Sequence, residues 1–237
     1  MFTPNVIVVS FVSFCSFQFY LSMSESTRYK AFPIGLVTSC STLLIIGCGD
    51  ETLQRVRDAR KFDWYKIYLI SPTLTDEVRA EVAQDERMIH LAREATEDDV
   101  SKAQVVVEDT EDLQKADEIA AWCRKYGKPL NAVDKNQYCD LYYMSLIYRG
   151  PLVISISSGG DAPALSVALR KHLEANLSEG WAYAADRMAA LRKSLPGGQA
   201  RKMLLKNMVR DKQLLEAIVQ NDRDTIDQRF DEAIQRI

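Results

Sequence analysis

Three short stretches hold residue types that could do chemistry. The first is LLIIGCGDE, residues 43–51, in which four aliphatic side chains run into Gly47, Cys48 and Gly49, and the acids Asp50 and Glu51 follow. Glycines placed directly after a strand let the backbone approach a pyrophosphate, which the N–H groups of the next helix can receive. Thr52 stands where the third glycine of a G-x-G-x-x-G turn would serve helix-to-strand packing. Asp50 and Glu51 suit a helix N-terminus on their own account and would repel a phosphate that faced them. The second apolar run ends in ISPT, without a carboxylate for a ribose hydroxyl. From these residues alone, a dinucleotide turn and a plain strand-to-helix turn both stand.

The second stretch is LNAVD, where Asp134 closes a buried run and a polar loop, KNQYCD, follows. A carboxylate there could serve as a general base, with partial burial tuning it; the bland alternative is that it caps a turn. The third is SSGGD, residues 157–161, where Ser158, Gly159 and Gly160 could form an anion-binding nest or merely a flexible connector. Cys48 and Cys139 read most simply as packing.

The elements that must position these residues follow from periodicity. LLIIG, KIYLIS, MIHLA, AQVVVED and LNAVD read as strands, the apolar ones as strands buried on both faces. Amphipathic stretches lie between them: one up to about Phe62, one over 75–83, and a long helix after Thr110, its predicted cap, that ends at Gly127. Alternating strands and helices imply a parallel sheet whose ligand crevice lies outside the carboxyl ends of the strands. Gly47, Ser71, Asp109 and Asp134 fall at those ends. IYRGPLVISIS then reads as two short strands around Arg149-Gly150-Pro151. From Pro163 the pattern is helical, with its clearest break at LPGG, residues 195–198, and one helix expected over 200–220.

Composition narrows the class. The 237 residues are 47% hydrophobic, enough for one large or two modest cores, and a net charge of −3 gives no whole-chain reason to expect nucleic acid. Five cysteines without a C-x-x-C pair suit reduced thiols in a cytoplasm, and His90 and His172 offer no metal-ligand spacing, so no metal is expected. Residues 1–22 carry no charge, and residues 5–22 approach the length of a membrane contact but lack a basic flank. Residues 1–28 are read as a leader.

Taken together, LLIIGCGDE, KIYLISPTLTDEV and the long block from LNAVDKNQYCDLYY through IYRGPLVISISSGGDAPALSVALRKHLE resemble the precorrin-2 dehydrogenase / sirohydrochlorin ferrochelatase family of siroheme synthesis, over about residues 32–237. The resemblance implies an α/β fold: a Rossmann-like NAD-binding domain over 29–144, a small β/α dimerisation region over 145–178 and a C-terminal helical domain over 179–237. It implies NAD-dependent oxidation of precorrin-2 to sirohydrochlorin, with ferrous iron insertion in bifunctional members, by a cytoplasmic homodimer. Carried over by position, it makes Asp134 the catalytic residue. It sets cofactor contacts on Gly47, Gly49, Asp50, Glu51, Pro72 and Thr73, and substrate contacts on Ser158, Gly159 and Gly160. Arg149, Arg170 and Lys171 are basic candidates for the substrate's carboxylates. The family's usual A-A-T-x-D is replaced here by Glu108-Asp109-Thr110-Glu111-Asp112, which brings extra negative charge toward the cofactor's path. A tetrapyrrole carrier without dehydrogenase activity is the alternative reading.

Overall fold

The computed structural model describes residues 31–235. Five parallel strands form one sheet in the order β3-β2-β1-β4-β5, with β1 over Thr42–Gly47, β2 over Lys66–Ile70, β3 over Met88–Leu91, β4 over Val105–Asp109 and β5 over Leu130–Ala132. This is the predicted Rossmann-like arrangement. The run that made β1 recognisable serves both faces of the sheet. Leu43 and Ile45 enter one core with Val56, Ile67 and Val107, while Leu44 and Ile46 enter the other with Val106, Ile119 and Leu130. A strand covered on both sides has no use for polar alternation, which is why the run is aliphatic throughout.

The helices that cover the sheet are α1 (Thr52–Arg60), α2 (Asp76–Val82), α3 (Glu97–Lys102) and α4 (Leu113–Tyr126). Thr75, read above as the first residue of the stretch over 75–83, caps α2, its side chain accepting from the Val78 N–H. The long helix α4 is capped by Asp112 rather than by Thr110. The Asp112 carboxylate reaches the N–H groups of Gln114 and Lys115, while the Thr110 hydroxyl is turned to Glu108. Gly127 ends α4 in the left-handed conformation, φ +61°. The short helix α3 was not anticipated; its signal is the reciprocal pairing of Thr96 and Asp99 at its start.

After the sheet come the hairpin strands β6 (Ser145–Arg149) and β7 (Leu152–Ile156), antiparallel and joined at Gly150 and Pro151. Helix α5 (Pro163–Asn176) packs on β6, and α6 (Gly180–Ser194), α7 (Gln199–Met208), α8 (Lys212–Gln220) and α9 (Arg223–Gln235) complete the chain. Leu191, Leu214, Ile218, Ile226 and Phe230 form the core of these last helices. The single helix expected over 200–220 is two, because the Asp211 carboxylate takes the N–H groups of Gln213 and Leu214 and starts a new helix. No helix among the described residues is long and apolar enough to cross a membrane. Residues 5–22, read above as a candidate membrane contact, lie outside the described residues.

Candidate functional site

The carboxyl ends of β1, β2 and β4 open on a crevice of about 600 Å³. At its floor the β1–α1 turn presses against the end of β4. Gly47 has φ +99°, and a Cβ there would stand 2.3 Å from the Asp109 carbonyl oxygen; one on Gly49 would stand 2.5 Å from the Asp109 carboxylate. Neither position admits a side chain. The Gly49 N–H donates to the Asp109 carbonyl, and no side chain caps the start of α1, whose first N–H groups face the turn.

Two departures from the family pattern turn out to be partners. Buried Thr52 donates its hydroxyl hydrogen bond to the Asp109 carboxylate at 2.7 Å. Asp109 therefore lies beneath the turn with its charge engaged, although it still contributes to the crevice wall. Glu108 is fully buried and turned away from the crevice, toward Lys135, whose ammonium stands 3.2 Å from Oε2. The charges of Glu108 and Asp109 are thus held by internal partners, while Glu111 and Asp112 line the crevice.

Of the expected cofactor contacts, Gly47, Gly49, Pro72 and Thr73 line the crevice; Asp50 does not, and Glu51 faces a second cavity. Sequence reading missed the wall formed by Gln114, Lys115 and Glu118. These three sit on one face of the first turns of α4, which Asp112 as cap, rather than Thr110, would have revealed.

The second cavity, about 410 Å³, opens between the end of β5, the start of the hairpin and the SSGGD loop, and it collects Asp134, Ser158 and Gly160. Gly159 is not part of its lining. Strand β5 stops at Ala132, two residues before the expected end, and Asp134 stands in a turn at φ +56°. Asp134 is exposed rather than partly buried, and its carboxylate has no hydrogen-bond or ion-pair partner among the described residues. The Ser158 hydroxyl accepts from the Ala162 N–H, and Ser157 from the Gly159 N–H, so the serine side chains brace the loop ahead of α5. Cys139 knits the loop after Asp134 to β5: its sulfur accepts from the Ala132 N–H at 3.3 Å and donates to the Ala132 carbonyl at 3.2 Å. Burial pushes its thiol up from the ordinary range, which keeps it a neutral structural donor.

The basic candidates lie elsewhere. Arg149 donates to the carbonyls of Tyr148 and Leu177 and pairs with Glu179, and Arg170 pairs with Glu174. Neither these nor Lys171 lines the second cavity; Arg55 of α1 does.

Residues 36–145 match the family described as "Putative NAD(P)-binding", and residues 149–176 match the one described as sirohaem biosynthesis protein central. Siroheme synthases are among the curated relatives. That of Gluconacetobacter diazotrophicus is 31% identical over 166 residues, which is 67% of this chain and 34% of the relative. That of Nitrosomonas europaea is 26% identical over 160 residues, 68% of this chain and 34% of the relative. Over about two thirds of its length the chain is similar to siroheme synthases. It spans about a third of the length of these relatives. Among solved structures, SirC, a precorrin-2 dehydrogenase, superposes with a TM-score of 0.65 at 19% identity, covering 84% of this chain and 98% of its own. That likeness is one of fold.

Proposed function

We propose that this chain oxidises precorrin-2 to sirohydrochlorin with NAD as hydride acceptor. The observation that carries the reading is the placement of a glycine-floored crevice beside a cavity that contains Asp134 and Ser158, all at the carboxyl end of one parallel sheet. The residues fit a dinucleotide: the turn is bare of side chains where the backbone must come close, and the start of α1 is uncapped. They favour NAD over NADP. Glu94, Asp112 and Glu118 stand on the crevice wall with Lys115 as the sole cation there among the described residues, a poor setting for an added 2′-phosphate.

When bound, the nicotinamide supplies the hydride acceptor. The chain's own task is then to hold the macrocycle and to take a proton, a role we assign to Asp134, which is exposed in the cavity and has no partner among the described residues. Ser158 and Gly160 line the same cavity. Ferrous iron insertion into the product would use the same carboxylate for the pyrrole protons. Adding ferrous iron to the reaction reads it out as the siroheme spectrum.

The partner we propose is a second copy of the chain. Val153 and Ile154 of β7 are exposed, and so are Leu165, Leu169 and Leu173, spaced as one stripe along α5. A reducing cytoplasm suits the four described cysteines, all of them free. The carrier reading loses part of its motive, because Asp109 and Glu108 are engaged by Thr52 and Lys135, although Glu111 and Asp112 of the same run still line the crevice. Anaerobic mixing of the purified chain with precorrin-2 and NAD is expected to yield NADH and the sirohydrochlorin spectrum; absence of NADH would sink the dehydrogenase reading.

A further inference from the structure

Resting on that reading of the substrate, we propose that Arg55 anchors one carboxylate of the tetrapyrrole through its Nε and Nη2 edge, in exchange for Glu51. Nothing in the motif glycines or in the Asp134 loop points to this residue; its surroundings do.

Among the described residues that line the second cavity, Arg55 is the only cation, against the carboxylates of Glu51 and Asp134. A ligand with many carboxylates needs a counter-charge there. Arg55 is held by two neighbours that leave its donor edge half used. The Tyr143 ring covers the guanidinium at 4.3 Å, and Glu51, the residue just before α1, accepts from Nη2 at 3.0 Å. Nε lies on the same edge of the guanidinium, is buried, and has no acceptor among the described residues. A buried donor without a partner is costly and uncommon in native structures. The Glu51 side chain is 46% exposed while that of Arg55 is 17% exposed, so the anion is the loose member of the pair. A ligand carboxylate that displaces Glu51 would meet Nε and Nη2 together in the parallel two-bond geometry that arginine favours.

The test is an anaerobic titration of the full chain with sirohydrochlorin, followed by its visible absorbance, alongside steady-state kinetics with precorrin-2. Arg55→Gln should weaken sirohydrochlorin binding and raise KM roughly ten- to a hundredfold, with kcat little changed and NAD affinity as in the wild type. Arg55→Lys keeps the charge but not the fork and should fall between the two. Glu51→Gln, which removes the competing anion, should tighten sirohydrochlorin binding, whereas a merely structural pair would loosen it or leave it unchanged. The proposal is overturned if Arg55→Gln binds sirohydrochlorin as the wild type does, if it loses NAD affinity by the same factor, or if Glu51→Gln fails to tighten. Melting curves and NAD titrations show whether each variant is folded, and Arg55→Lys still decides the question if the glutamine variant is not. A wild-type chain without turnover would sink the dehydrogenase reading alone, since the titration still reads Arg55.

Discussion

The Lys135 ammonium lies 3.2 Å from the Glu108 carboxylate and 2.8 Å from the Thr110 carbonyl, which fastens the residue after Asp134 to the end of β4. Glu108 is fully buried, so this pair has little water to fall back on. Asp134 sits in the left-handed region, a conformation that non-glycine residues hold only when their surroundings impose it. The lysine supplies part of that imposition. Lys135→Ala should cost about 3–5 kcal/mol in denaturant unfolding, because it strands a buried carboxylate. Glu108→Met with Lys135→Met should recover most of that loss, and recovery failing altogether would show that the pair does more than cancel its own charges.

Thr52 and Asp109 form a second coupled pair, between α1 and the end of β4. Thr52→Val keeps the shape but removes the donor, and should cost about 1–3 kcal/mol. In a double-mutant cycle with Asp109→Ala, the two losses should be less than additive by about 0.5–3 kcal/mol. Strict additivity would mean that the hydrogen bond contributes nothing.

Asp134→Asn tests the proposed base without disturbing the turn, since asparagine accepts the same backbone conformation. Turnover should fall by about 10²–10⁴-fold, with NAD affinity and melting temperature close to wild type. Retained turnover would move the proton acceptor elsewhere in the cavity.

Cys48 gives a chemical footprint of the cofactor crevice, because it stands in the lining between the two glycines. Peptide mapping after brief alkylation should show Cys48 labelled and NAD slowing it, while exposed Cys40 reacts at the same rate with and without NAD. Cys123, whose thiol burial pushes up to about 12, should stay unlabelled in both samples. Protection absent at saturating NAD would place the cofactor away from this turn.

Val153→Glu and Leu165→Glu each set a charge on the exposed apolar surface of β7 and α5. Sedimentation should find the wild type as two chains and either variant as one, with the melting temperature of the monomer reported alongside. A wild type that sediments as a single chain would leave that surface for another partner.

The sheet was legible because LLII and VVV are dense aliphatic runs whose only stable use at that length is a strand buried on both faces. The site was half legible. Gly47, Gly49 and Asp134 are marked by their place at strand ends, but Arg55 reads from sequence as one half of an ordinary i, i+4 surface pair with Glu51. The Thr52–Asp109 contact spans 57 residues, and no local period encodes it. Element boundaries failed where a side-chain cap competes with periodicity: Asp211 splits an apolar pattern that continues across it, and Asp112 takes the role that Thr110 could have filled two residues earlier.

Strand β7 runs from the exposed pair Val153 and Ile154 directly into Ile156, Ser157 and Ser158, which line the Asp134 cavity. Self-association through that strand and ligand capture at its end would therefore share one segment of backbone. Each should strengthen the other by the same factor. A dilution series would then move the apparent substrate affinity, and saturating ligand would hold the assembly together at concentrations where the bare chain comes apart.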